Sequence, residues 1–581
     1  MATDGVPASM ARRDWLIIAL CCIALTLFAV VFGSNRDVDD TLRLLQVRDW
    51  LAGQSWFDLH QDRVAPPEGV PMHWSRLVDL PLAGVILAAR PFVSAAQAEA
   101  AALLLVPLLT LACAAALIYR AAWRLFADRS VAALAALLGG TAAPLFGQVT
   151  PGRIDHHGWQ IVLALVALNG LLAAGARKGG WLIGTALAAW LTISIEGLPA
   201  TAAFLAVLGL RWLRDPAERE WLVHASAALA VVSAVLWLAT HRLDSAALVG
   251  WCDVVTPIHL AMFAWTAIGV LIVSRLPPRG TITTALGLGA VALVAGAILA
   301  VGQPQCLRGG FAQLDPLVAR LWLASVVEAM PVWTIPLAPA MTMAAPPLLG
   351  LAAMGWWVWC TRPPIPFASL AYLLLLASAS VMGCLMIRGF GVAAALAAPP
   401  LAWGLREWVR RIQTYRSQLL RLAAIAALMP ALAPWLVNLA VLDAVRRDAR
   451  GPATACDLAR HSGLLGRLPP GLFLAPFDIG PDLLLTTHHR VLASGHHRAD
   501  AAMRDLLEAF LSSPDKAREI VGRRQVNYVA ICFDLPEAKQ YAKIAPNGLL
   551  ARLGRGETPQ WLTPIVVPGA HAPKVWRVGP L

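Results

Sequence analysis

The chain has 581 residues, of which 58% are hydrophobic and only 14% charged. Soluble domains carry about 25% charged residues, so a soluble enzyme is excluded and a polytopic membrane protein is indicated. A net charge of +12 would suggest nucleic acid in a soluble protein. Here the arginines sit at the ends of apolar runs, where cytoplasmic retention of positive charge accounts for them without a nucleic-acid partner.

Residues 1–10 carry no signal-peptide pattern. Arg12 and Arg13 followed by Trp15–Val31 read as a first membrane helix with a cytoplasmic N-terminus. A long polar stretch follows, Asn35 to Gln97, containing RDVDDTLRLLQVRDWLAGQSWFD and PPEGVPMHWSRLVDLPLA. Its prolines and aromatics predict short interfacial helices, and Val78–Ala89 is too short and proline-flanked for a span. Further spans are expected at Ala98–Tyr119, Val131–Phe146, Trp159–Leu172, Trp181–Ile195, Leu198–Leu213 and Leu222–Thr240. More follow at Ile258–Val273, Thr281–Ala300, Ile335–Trp357, Pro366–Leu385, Gly389–Trp403 and Leu419–Val441. That makes about thirteen, judged by a need for roughly 17–25 apolar residues each.

This count places every basic cluster in a short loop, from Arg120 and Arg124 to Arg410 and Arg411, on the cytoplasmic side. The opposite face receives Asn35–Gln97, Gln148–Gly158, Glu196, His241–Pro257, Gly302–Thr334, Arg388 and everything after Asp443. The C-terminal stretch is more polar. Strand-like runs at Gly471–Phe477, Leu483–Ser494 and Val526–Phe533, with a helical run Ala499–Ser512, predict a small α/β domain. The expected architecture is an all-α membrane domain, residues 1–442 with a long first external loop 34–97, and an extracytoplasmic α/β domain, residues 443–581, in an inner or plasma membrane. Of nine cysteines, Cys252, Cys306, Cys456 and Cys532 fall outside. Disulfides and buried free thiols are both open there.

Four polar features share the outer face. Asp37, Asp39 and Asp40 follow the first helix; clustered carboxylates suit a hard divalent cation, Mg²⁺ or Mn²⁺, or else an acidic helix start. In QVTPGRIDHHG, Arg153, Asp155, His156 and His157 lie between two apolar runs; if the segment is extended, Asp155 and His157 point the same way and share an ion. Glu328, in ASVVEAMP, is a carboxylate among apolar neighbours that needs an ion or a partner, Arg320 being the competing one. Arg388, in CLMIRGFG, suits bidentate capture of phosphate or pairing with one of these acids. Glu196 in TISIEGLP, and His488, His489, His496, His497 and Arg498 in THHRVLASGHHR, are weighed as substrate-lining residues against a solvated polar surface.

At these residues the chain resembles the catalytic subunits of oligosaccharyltransferases and, more broadly, the GT-C superfamily of membrane glycosyltransferases. VDDTLRLLQVRDWLAG looks like the family's first-loop motif, its acid falling on Asp39. TPGRIDHHGW is similar to the second-loop DxD or DxE, with Asp155 on the first acid and His157 replacing the second. SVVE resembles the fifth-loop motif ending in an acid, Glu328. IRGFGVAAALAAPP resembles the stretch whose arginine contacts the donor phosphate, Arg388. The likeness covers roughly residues 15–440 and implies about thirteen spans, an outer-face site and inversion at the anomeric carbon. The WWDYG-type motif that reads the asparagine sequon is missing, so transfer to asparagine is not expected.

The expected function is metal-assisted transfer of a sugar or glycan from a polyprenyl phosphate or diphosphate carrier to a lipid, glycan or protein acceptor. Asp39, Asp155, His157 and Glu328 would surround the cation, Arg388 would hold phosphate, and Asp39 would partner the nucleophile. A transporter or flippase for lipid-linked saccharides is the alternative.

Overall fold

In the computed structural model, the described residues are 12–32, 37–242, 250–277, 280–361, 365–428, a few positions between 433 and 456, 458–569 and 571–580. The start of the first external loop, most of the last apolar run past 428 and the expected 442/443 boundary lie outside them. Apolar runs of the sequence are helical wherever they are described, because apolar chain in lipid must satisfy its backbone hydrogen bonds internally. Eight helices among the described residues are long and apolar enough to cross a membrane, so the chain is an integral membrane protein. Arg129–Thr141 and His157–Leu171 are apolar but shorter; the described residues do not give thirteen full-length spans.

Two compact units form. The helical unit comprises Met1–Asn35, Ser75–Ala312 and Val327–Asp443. Its tightest helix pair is Ala176–Ile193 against Arg219–Thr240. Gly179, Gly180 and Gly184 line that contact: a Cβ on Gly180 would lie 2.7 Å from His224 Cβ and 2.8 Å from the Trp221 carbonyl. Small residues at such spacing let membrane helices approach backbone to backbone. Helix Thr281–Gly302 is the opposite case, with 6% of its apolar window buried and Leu286 and Leu293 70% and 75% exposed. An exposed apolar surface of this kind suits lipid. Asp14, fully buried, is held by Arg129 at 2.6 Å and Tyr119 Oη at 3.1 Å, the pairing that a charge inside apolar packing requires. A disulfide joins Cys252 to Cys306.

The second unit comprises Arg36–Trp74, Gln313–Val326 and Ala444–Leu581. The long first loop is thus divided between the units at Trp74/Ser75. The loop supplies helix Val38–Leu51 and an antiparallel hairpin, β1 (His60–Gln61) with β2 (Val70–Pro71). The C-terminal segment supplies β3 (Leu472–Leu474), β4 (Arg490–Val491), β5 (Tyr528–Ile531), β6 (Leu562–Ile565) and β7 (Lys574–Val578). These form one sheet in the order β4-β3-β5-β7-β6, parallel for β4, β3 and β5 and antiparallel beyond. The loop joins this sheet directly: Val64 bridges Val491 in parallel, Arg63 Nη1 donates to Thr487 O at 3.0 Å, and Arg48 Nη1 donates to Leu485 O at 2.7 Å. Leu483–Ser494, expected as one strand, is instead helix Gly480–Thr486 followed by β4. Pro481 at the first helical turn and the run DLLLT favour the helix. A second disulfide joins Cys456 to Cys532.

Candidate active site

Four segments of the helical unit converge on one polar cluster, the fourth being the turn Ile195–Gly197 that carries Glu196. The first starts with a turn that Pro151-Gly152 dictates. Gly152 has φ 91°, and Arg153 N–H donates to Thr150 O at 2.9 Å, the arrangement that needs a residue free to take positive φ at the third position. The expectation of an extended segment fails here, because the chain turns at Gly152 and then enters helix His157–Leu171 directly, with His156 at its cap. Asp155 and His157 still meet: Asp155 Oδ2 lies 3.2 Å from His157 Nε2. His156 Nδ1 lies 2.5 Å from Asp155 Oδ1, so both imidazoles share one carboxylate. All three are buried. Carboxylates just ahead of a helix also face its positive end.

The second segment is the turn Val327–Ala329, carrying Glu328, and the third is the turn Ile387–Gly389, carrying Arg388. They are tied by Ile387 N–H to Met330 O at 3.0 Å. Gln148 Nε2 donates to Arg388 O at 3.1 Å, which ties in the first segment. Gly391 leaves room for that amide, since a Cβ there would sit 2.7 Å from Gln148 Oε1. Arg388 joins two carboxylates, Nη2 to Glu196 Oε1 at 2.5 Å and Nη1 to Glu328 Oε1 at 3.1 Å. Glu328 Oε1 is also 3.7 Å from His157 Nε2. Burial would raise the Glu328 pKa, but His157 and Arg388 outweigh it and hold the carboxyl down to about 2. Burial lowers Arg153, while Asp155 and Glu328 pull it back toward the charged form, which places it beside the same acids. Three carboxylates therefore face two guanidiniums, with imidazoles between.

Gln160 and Trp190 escaped the sequence reading, although Gln160 stands three residues after His157 on the same helix face. The Trp190 indole N–H donates to Gln160 Oε1 at 3.1 Å, and Gln160 Nε2 faces His157 Nδ1 at 3.4 Å. An indole can only donate, so the Gln160 oxygen is committed and its NH₂ is turned toward His157. In the neutral ring Nδ1 is then the acceptor and the proton sits on Nε2 between Asp155 and Glu328; the imidazolium that holds Glu328 down carries a proton on both nitrogens. As to a divalent cation, the spacings of 3.2 and 3.7 Å are close to the ligand–ligand edge of about 3 Å expected around an ion with bonds of about 2.1 Å. Asp155 and Glu328 fit such an ion. His157 fits through Nε2 once its proton moves to Nδ1, which requires Gln160 to turn its oxygen inward.

Next to this cluster is a partly open cavity. His157, Glu196, Arg388, Gln148 and Gln160 make its polar end, while Phe204, Leu375, Met382, Val392 and Leu396 are among the residues of its apolar walls.

The other expected site residues lie in the α/β unit. Asp37 caps helix Val38–Leu51 by accepting from Asp40 N–H at 3.0 Å, and Asp40 returns the bond to Asp37 N–H at 3.0 Å. Asp39, half-buried, stands in the first turn. His489 is built into the sheet: its Nδ1 accepts from Gly471 N–H at 3.3 Å and its Nε2 donates to Leu465 O at 2.8 Å. Burial keeps its pKa low. His488 Nε2 lies 3.2 Å from Leu468 O. His496, His497 and Arg498 stand beside His73 at the end of the β1–β2 hairpin.

No protein-family model matches the sequence, and no curated protein matches it. Solved structures do match the fold. The archaeal oligosaccharyltransferase AglB from Archaeoglobus fulgidus, in complex with an inhibitory peptide and a dolichol-phosphate, superposes with a TM-score of 0.69 at 13% identity, over 95% of this chain and 72% of that one. The Archaeoglobus fulgidus oligosaccharyltransferase in complex with Zn and sulfate gives 0.61 at 14% identity, over 92% and 70%. The arabinofuranosyltransferase AftD from Mycobacteria gives 0.50 at 15% identity, over 99% and 40%. The chain has the fold seen in these GT-C glycosyltransferases.

Proposed function

We propose that the protein is a membrane glycosyltransferase of the GT-C type. It moves a sugar or glycan from a polyprenyl phosphate or diphosphate carrier to an acceptor at the outer face of the membrane. The observation that carries this reading is the cavity, whose polar end holds Arg388, Glu196 and His157 and whose walls are apolar. A polyprenyl-linked sugar has the same division, with a charged phosphate at one end of a hydrocarbon chain. The neighbours with dolichol-phosphate, and with Zn and sulfate, support the same donor and ion chemistry.

In the reaction the bond from the anomeric carbon to the phosphate oxygen breaks and its electron pair leaves with the phosphate. A bond forms from the acceptor heteroatom to the opposite face of that carbon, and the acceptor proton passes to a carboxylate. Arg388 receives the phosphate, exchanging one of its carboxylate partners for phosphate oxygens. Asp155 and Glu328, with His157 after the tautomer change, are the residues that would hold a divalent cation. When bound, the ion supplies neutralisation of the departing phosphate's charge. Asp155, two residues ahead of the first helical turn, and Glu328, kept ionised by its neighbours, are the candidate proton acceptors in this unit. The resemblance in VDDTLRLLQVRDWLAG assigns Asp39 to the acceptor nucleophile.

Proteoliposomes containing the protein and polyprenyl-linked sugars test this. Mass spectrometry should show release of the polyprenyl phosphate or diphosphate and gain of the sugar by an added acceptor. Movement of intact lipid-linked sugar across the bilayer with no cleavage would favour the flippase instead.

A further inference from the structure

The α/β unit gathers histidines that the reaction above does not use. His73 follows β2, and His496 and His497 follow β4 and open the turn His497–Ala499. The two segments are anchored to each other, since Arg498 Nη1 donates to Pro71 O at 3.3 Å. Within that frame His73 Nδ1 and His496 Nε2 are 2.9 Å apart. The ring centroids of His73 lie 4.9 Å from His496 and 4.8 Å from His497. A ring nitrogen of His73 and one of His497 are within 4.8 Å. His496 is only 2% exposed and meets the Trp74 ring edge-on at 5.6 Å, while His73 and His497 are half-buried.

A nitrogen pair at 2.9 Å needs one donor and one acceptor, so these two imidazoles share a proton and cannot both be imidazolium in this arrangement. Neutral imidazole is also the form that binds metals. Tetrahedral bonds of about 2.0–2.1 Å put ligand nitrogens about 3.3 Å apart, near the observed His73–His496 separation. Trp74 fixes His496 from one side, and Arg43 stacks over Trp74 at 5.0 Å. Imidazole nitrogens favour Zn²⁺ and its neighbours in the transition series over Mg²⁺ or Mn²⁺.

We propose that His73, His496 and His497 form a second metal site in the α/β unit, which takes a borderline divalent transition metal of the Zn²⁺ class as the proton between His73 and His496 moves to the other nitrogen of its ring. The site ties the hairpin of the first external loop to the turn after β4, so its metal clamps the unit together.

The test uses the purified full-length chain, stripped with a chelator and titrated with Co²⁺ as a spectroscopic stand-in for Zn²⁺. One bound ion should give the visible bands of a nitrogen-rich, low-coordinate site, and those bands should persist in Asp155→Asn. His73→Gln and His497→Gln, both at half-buried positions, should each weaken this binding at least tenfold. Zn²⁺ should slow hydrogen exchange in residues 60–74 and 490–499 of the native chain and not of the two variants. Co²⁺ bands that vanish in Asp155→Asn, or that survive unchanged in His73→Gln and His497→Gln, would overturn the proposal.

Discussion

The two units use histidine in opposite ways. In the helical unit, His157 lies between the carboxylates of Asp155 and Glu328, with Arg388 balancing the charge. In the α/β unit, His489 is closed off by backbone groups on both nitrogens and His496 faces other imidazoles. The same tripeptide, His-His-Arg, occurs at 488–490 and 496–498 with different outcomes. The first is consumed in building the sheet, and the second keeps its ring nitrogens toward side chains. A histidine's role therefore follows from what occupies its second nitrogen.

The contrast is sharpest where loss of function and loss of fold separate. Asp155→Asn and Glu328→Gln should each lower sugar transfer by about a hundredfold or more, with elution and helix content of the detergent-solubilised protein unchanged. Transfer within a few-fold of native would remove these residues from the active site. His489→Ala should do the reverse. It strands the Gly471 N–H and the Leu465 carbonyl, at about 1–3 kcal/mol each, so hydrogen exchange around residues 465–474 should accelerate strongly. Slow exchange preserved in that variant would show that water or a neighbour replaces the imidazole.

Trp190→Phe is a finer probe. Without the indole donor, Gln160 is free to present its oxygen to His157 Nδ1–H, leaving Nε2 for a cation. Divalent affinity at this cluster should rise, by about tenfold if the change matches other partners of metal-binding histidines; a fall measured by Mn²⁺ titration would refute the tautomer assignment. The smallest effect concerns Glu537. Burial and then the nearby Asp478 push its carboxyl up to about 7, while an unfolded glutamate titrates near about 4.3. Between those values the folded state binds the extra proton, so stability contributed here is greatest at low pH and is lost as pH rises through the window. Local exchange of helix Pro536–Ile544 should quicken from pH 5 to 8 beyond its intrinsic chemical increase, and Glu537→Gln should flatten that excess.

Local signals made much of this legible from residues alone. Apolar runs located the helices, because only length and hydropathy matter to a chain that must satisfy itself in lipid. Asp155, His157, Glu328 and Arg388 were found because charge at the edges of such runs needs a reason. The structure brings them together, with Glu196 as Arg388's second partner. What escaped depends on distant pairing. Gln160 and Trp190 look like ordinary helix residues until the two helices are packed. Leu483–Ser494 reads as strand by composition, yet a proline at the helix start decides its first half. The attachment of the long first loop to the C-terminal sheet leaves no mark in either segment's periodicity, since Val64 and Val491 meet only in three dimensions.

That attachment sets a schedule for synthesis. Arg48 and the carbonyl it clasps are 437 residues apart, which at about 5–20 residues per second is roughly 20–90 seconds of translation. Throughout that interval the loop's helix and hairpin are made but their sheet is not, so they must be shielded or wait unfolded. Expressing residues 444–581 alone would leave β4 without the chain that lies against it at Val491. For the same reason, a truncation in the second half of the gene should first be felt as proteolysis near residues 48–64.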